Sequence, residues 1–304
     1  MRKIFDSKIF DGIEITSQIE FESFCRKHSE FCKSYLRAGI KNTYRNEYEE
    51  IYQSFGEIFP VKGIIEEVSR NDEKFTQRFW ELEIYNALRK ISGSLNRTKQ
   101  GVDFKFLPQG YSAFIDIECV APGRGTGKTS IAEYDNYMKV QISPPDIDER
   151  VVLRIIKKID EKLKHKNQTF SCTRPYIIAI NTANLPWEFH TKRIYQTLFA
   201  LKYPLSNNPL RWWSEKNVKL GYFATDKYKY ISAIIYSNCH PNEYREGNPN
   251  RRHLYMIHNP FAQFPINRVT FPFFQHVLFN PETLEIIDET SDPNDIPEGT
   301  IINF

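Results

Sequence analysis

Residues 78–91 read RFWELEIYNALRKI, residues 102–107 read VDFKFL, residues 108–110 are Pro-Gln-Gly, and residues 111–122 read YSAFIDIECVAP. The first segment has the apolar spacing of a helix. The second and fourth have the β-branched and aromatic content of strands, and Pro108-Gln109-Gly110 supplies the turn between them. The order is helix, strand, hairpin, strand. Among the acids this stretch carries are Glu81, Asp103, Asp116 and Glu118.

The second strand is the most informative piece. Strand side chains alternate between faces, so Ile115, Ile117 and Cys119 point one way while Asp116, Glu118 and Val120 point the other. Two acids on one face of an apolar strand admit two readings. Either this is an edge strand whose acids face water, or the acids are buried and must be paired or hold a metal, because an isolated buried carboxylate costs roughly several kcal/mol. The hairpin favours the second. It lays Asp103 and Glu118 side by side, within reach of one hard cation such as Mg²⁺.

The helix FWELEIYNAL, the Asp103-Phe104 pair, the Ile117-Glu118-Cys119-Val120-Ala121-Pro122 strand, a basic helix and the strand RPYIIAIN together resemble the PD-(D/E)XK nuclease superfamily. The resemblance runs from about Phe75 to about Pro260 and its motifs are short. Within that superfamily the chain is most similar to an uncharacterised bacterial branch with an "IE-x-x-AP" strand, an "LR…K" helix and a later "HNP-x-A" segment, here His258 to Ala262. The resemblance implies a restriction-endonuclease-like α/β core, with a central mixed β-sheet flanked by helices. It implies metal ligation by Asp103 and Glu118, with Glu81 in support, and Mg²⁺ as the ion, replaceable by Mn²⁺. It also implies hydrolysis of phosphodiester bonds in nucleic acid, with DNA the expected form, and an endonuclease of this kind can act as a homodimer.

The chain departs from the family pattern at two places. Val102 precedes Asp103 where Pro is expected, and Val120 stands where the family has Lys. The Lys positions the attacking water and stabilises charge on phosphate, so another cation has to take its place. The helix DERVVLRIIKKIDEKLKHK, residues 148–166, carries Arg154, Lys158 and Lys162 at i, i+4 and i+8, hence on one face. Arg154 and Lys162 match the "LR…K" pattern and are the candidate catalytic cations. Lys158 is either a substrate-phosphate contact or part of a solvated basic face.

Residues 121–130, APGRGTGKTS, imitate a phosphate-binding loop. The nucleotide-binding pattern needs Gly, four residues, then Gly-Lys-Ser/Thr, and counting back from Gly127 puts Pro122 at the first glycine. The register fails for a nucleotide-binding protein. A glycine-rich loop with Arg124 and Lys128 beside an acid site still suits a substrate phosphate.

With 304 residues the chain can bury a large core, and 40% hydrophobic residues are ordinary for a globular protein. Net charge is only +3, so an anionic partner has to be met by a local basic patch. Five scattered cysteines without a CxxC spacing suggest a reducing compartment and neither zinc nor a disulfide framework. No apolar run is long enough to span a bilayer and the amino terminus lacks a signal-like apolar region, so a cytoplasmic location without membrane contact is expected.

Residues 1–70 read as an N-terminal helical section packed on the core, with one helical pattern from Ile19 to Leu36 and another from Arg45 to Phe55. Residues 71–304 form the α/β core and its C-terminal extension. Residues 175–181, PYIIAIN, read as a buried central strand, with further strands near 230–236 and 253–258. His240, His253 and His258 lack a zinc-site spacing and read as lone structural histidines. The acidic, Pro-punctuated stretch from Asn280 onward reads as surface-wrapping or mobile chain.

Two function classes follow: a Mg²⁺-dependent nuclease with a relocated Lys or Arg, and a catalytically inactive binding or scaffold protein on the same fold.

Overall fold

The computed structural model describes residues 72–98, 101–123, 147–169, 173–183, 185, 194, 197–199, 221–238, 254–280 and 285–288. The N-terminal helical section expected over residues 1–70 lies outside them, as do Arg124 and Lys128, the rest of the glycine-rich loop, His240 and His253.

Helix α1 spans Asp72–Arg89. It begins on two acidic residues and ends on Arg89, the charge order that a helix dipole favours. Phe79, Trp80, Ile84 and Leu88 recur at helical spacing and are buried. Each such side chain contributes roughly 1.5–3 kcal/mol of burial. Strands β1 (Gly93–Arg97), β2 (Phe104–Pro108) and β3 (Ile115–Val120) follow as an antiparallel meander. Gly110, at φ 85°, turns the chain between β2 and β3 in the left-handed region that glycine occupies without steric cost. Strand β3 starts four residues later than the sequence pattern suggests, because Tyr111 to Phe114 belong to that connection.

Helix α2 spans Ile147–Thr169 and carries the chain over to β4 (Tyr176–Asn181), which pairs parallel to β3. Beyond it lie β5 (Ala233–Ser237), β6 (Tyr255–His258), β7 (Gln275–Asn280) and β8 (Glu285–Asp288). The eight strands stand in sequential order, with β4 and β5 parallel, β5 and β6 antiparallel, β6 and β7 parallel, and β7 and β8 antiparallel. This is an α/β fold on a mixed sheet.

The alternation of β3 divides the core. Ile115, Ile117 and Cys119 join Ile177, Ala179 and Ile235 beneath α1. Val120 joins Tyr176, Ile178, Ile180 and Ile234 beneath Val151, Ile155 and Ile159 of α2. Trp80 fastens the first layer by donating Nε1–H to the Ala179 carbonyl at 2.9 Å.

The edge-strand reading of β3 is overturned. The strand lies between β2 and β4, and Asp116 and Glu118 are 0% and 3% exposed. Three strands, β1, β7 and β8, escaped the sequence reading altogether. Strand β1, GSLNR, is polar and exposed, so it carries no apolar alternation. Strand β8 falls within the acidic tail read as surface-wrapping or mobile, yet Ile286 and Ile287 pair with Phe279 and Leu278 of β7.

The C-terminal motif proves structural. Asn259 donates Nδ2–H to the carbonyls of Tyr228 (3.0 Å) and Ile231 (2.8 Å), tying the end of β6 to the approach to β5. His258 is not a lone histidine: its Nε2 lies 2.8 Å from His276 Nδ1. His276 Nε2 faces the Phe271 carbonyl at 3.1 Å, which fixes it as a donor and makes Nδ1 the acceptor from His258.

Candidate acid site at the end of strand β3

The register Phe104↔Ile117, carried one residue further, sets Asp103 opposite Glu118. Asp103 immediately precedes β2, and its Oδ2 accepts the Cys119 backbone N–H at 2.7 Å. The two strands therefore deliver both acids to one end of the sheet, as the hairpin reading expects.

Glu118 uses both oxygens. Oε1 accepts from Lys162 Nζ at 2.7 Å and Oε2 from the Tyr176 hydroxyl at 2.6 Å. Lys162 reaches down from α2 and stays 28% exposed, whereas Tyr176 starts β4 and is fully buried. Burial raises the Tyr176 hydroxyl well above its ordinary value and the Glu118 charge raises it further, so it stays protonated and donates throughout the physiological range. For Lys162, burial alone lowers the pKa, but the Glu118 charge, its hydrogen bond and Asp103 outweigh it and the net direction is upward. The ammonium is held as a cation against Glu118.

Glu81 arrives from the other side. It projects from α1, 2% exposed, and pairs with Arg78 Nη1 and Arg97 Nη2, each at 2.9 Å. Burial pushes Asp103 up to about 7, and the charge of Glu81 adds to this more than that of Glu118; the Cys119 N–H and Lys162 oppose it. Negative charge is thus crowded at this point. The Cys119 thiol, buried under the cluster, is pushed well above its ordinary value by burial and then by Asp103, so it stays neutral.

The remaining expected residues go elsewhere. Arg154 is buried and donates Nη2–H to the Gly123 carbonyl at 2.6 Å, which holds the chain where it leaves β3. Lys158 pairs with Glu161 at 2.7 Å on the exposed side of α2. Asp116, fully buried, takes Arg174 Nε at 2.9 Å, away from the Asp103 end of the strand.

Among the described residues at this point the side chains able to hold an ion are carboxylates, oxygen donors of the kind a hard divalent cation takes, and Arg78, Arg97 and Lys162 balance their charge. Among the described residues no three acidic, histidine or cysteine side chains surround one point. Asp103 and Glu118 are the residues that could hold such an ion, with Glu81 behind them.

Three participants went unread in the sequence. Tyr176 was legible in principle, since the parallel register Glu118↔Ile178 puts Tyr176, Ile178 and Glu118 on one face. Gln77 stands one helical turn before Glu81 and donates to its Oε1 at 3.2 Å. Arg97 lies on β1, a strand without a sequence signal.

Comparison with family models, with curated proteins and with solved structures gives no match to this chain.

Proposed function

We propose that the chain is a Mg²⁺-dependent nuclease with a restriction-endonuclease-like core, hydrolysing phosphodiester bonds in nucleic acid, DNA foremost. The order helix, three-stranded meander, crossover helix and parallel strand supports that core. One observation carries the functional reading: Lys162, from a neighbouring helix, brings its ammonium to 2.7 Å from Glu118, supplying the cation that Val120 does not.

Asp103 and Glu118 would hold the ion, which when bound polarises the phosphate and makes a coordinated water more acidic. The chain's own groups do the rest. Tyr176 fixes the Glu118 carboxylate through one oxygen. Lys162, partly exposed and on a flexible stem, turns its ammonium towards the scissile phosphate and offsets the charge that develops as water adds and the ester oxygen leaves. Arg78 and Arg97 offset the charge of Glu81, so that three carboxylates can share one region.

The same pairings also favour a second reading, an inactive nucleic-acid-binding or scaffold protein. Glu81 and Glu118 already have charged partners and Asp103 a backbone donor, and such a site can be complete without an ion.

Lys162→Ala and Lys158→Ala separate a specific role from general phosphate attraction. In single-turnover cleavage, Lys162→Ala slows the chemical step by about 100-fold or more. Lys158→Ala changes mainly the salt dependence of binding. Equal and small effects would remove Lys162 from the mechanism.

A further inference from the structure

The backbone at the end of β3 is satisfied by side chains. On the side facing β2 the ladder ends at Ile117 paired with Phe104, and the backbone groups of Cys119 and Ala121 need other partners there. Asp103 Oδ2 takes the Cys119 N–H. Gln77, from α1, does the rest: its Nε2 donates to the Cys119 carbonyl at 3.2 Å, and its Oε1 accepts the Ala121 N–H at 2.7 Å. Its Nε2 also donates to Glu81 Oε1 at 3.2 Å. The amide orientation follows from these partners, since only Oε1 can accept from Ala121.

One side chain thereby ties Glu81 to Cys119, the residue whose N–H bonds Asp103 and that directly follows Glu118. The three acids sit on three elements, α1, the approach to β2, and β3, and Gln77 spans the gap that the sheet leaves open.

We propose that Gln77 is a positioning residue for the acid cluster: it sets the placement of Glu81 relative to Asp103 and Glu118 by clamping the end of β3 to α1, and so tunes the affinity of the site for a divalent cation. The inference rests on the metal-site reading above. A half-made clamp does not suffice. Asn at this position keeps an amide on the helix but is one methylene too short to reach both α1 and β3 partners, and Leu keeps the bulk but bonds none of them.

The test is Mn²⁺ affinity of the full chain, read by electron paramagnetic resonance of the free ion, for wild type, Gln77→Leu, Gln77→Asn and Glu118→Ala, with thermal midpoints measured alongside. Both Gln77 variants are expected to bind Mn²⁺ about tenfold more weakly, the range for residues that orient metal ligands, and Glu118→Ala to lose binding. If Gln77→Leu does not fold, Gln77→Asn carries the comparison. A lowered midpoint with unchanged Mn²⁺ affinity in the folded variants would reduce Gln77 to a structural clamp and overturn the inference, leaving the metal site standing. Absence of Mn²⁺ binding by the wild type would overturn the inference and the metal-site reading together.

Discussion

Glu118 is held by two donors of different kinds, and their difference is testable. Tyr176 is neutral, buried and fixed by its strand; Lys162 is charged, long and partly exposed. Tyr176→Phe removes one oxygen and leaves the ring volume unchanged. With the Glu118 oxygen still buried, the variant loses about 1–3 kcal/mol of stability, measured by urea unfolding, and binds Mn²⁺ more weakly. Wild-type values in both measurements would mean that Glu118 needs no second anchor. Lys162→Met acts in the opposite direction on the ion: removing a competing cation strengthens Mn²⁺ binding while slowing cleavage, and weaker binding would contradict the placement of its charge. At this scale the acids were legible, because a carboxylate inside an apolar strand conflicts with its surroundings. Lys162 was legible through helical spacing, although the same spacing offered Arg154 and Lys158 equally. Only the tertiary placement of α2 separates them, since residues four apart share a face without sharing a depth.

Helix α2 covers one face of the sheet and carries three cations that end in three environments: Gly123 carbonyl, Glu161 carboxylate and Glu118 carboxylate. Arg154 thus anchors the segment leaving β3. Arg154→Met is expected to destabilise the fold by about 1–3 kcal/mol, because a buried carbonyl loses a charged donor, and to slow cleavage far less than Lys162→Ala. A loss of cleavage as large as that of Lys162→Ala, in a variant of wild-type stability, would return Arg154 to the chemistry. The helices α1 and α2 and the strands β3 to β6 were readable because long apolar periodicity and continuous apolar runs have few competing interpretations. Strand β1 was not, since an exposed, polar edge owes its existence to the neighbouring ladder rather than to its own residues.

Across the whole molecule, the buried His258–His276 pair gives the folded state a defined response to pH. Burial and the neighbouring His276 bring His258 down to about 3, and burial brings His276 down to about 4, from an ordinary 6.5. Both folded values lie below the unfolded ones, so the unfolded chain binds more protons as pH falls. The stability contributed by the neutral pair is present above about pH 6.5 and is lost progressively as pH falls towards 4 and 3. Asp103 acts with the opposite sign: its folded value near 7 exceeds the ordinary 3.8, so its contribution weakens as pH rises between those values. The comparison is therefore differential. Between pH 6.5 and 5, wild type should lose stability faster than a His258→Gln/His276→Gln variant in chemical denaturation, and parallel curves would contradict the buried neutral pair. That pairing was invisible in the sequence because His258 and His276 stand on separate strands, joined only by the parallel register of β6 and β7. The α/β class and the meeting of Asp103 with Glu118 were legible from one hairpin, while β8 was hidden by an acidic composition that resembles loose chain. Among the described residues no helix is long and apolar enough to cross a membrane. The most direct measurement of the central claim is cleavage of plasmid, linear and single-stranded DNA by the full chain with Mg²⁺, Mn²⁺ or EDTA, beside Glu118→Ala and Asp103→Ala. The account predicts cleavage that requires the metal and is abolished in both variants. Cleavage that survives either substitution would contradict the site, and salt-sensitive DNA binding without cleavage under any metal would contradict the nuclease reading in favour of the inactive scaffold.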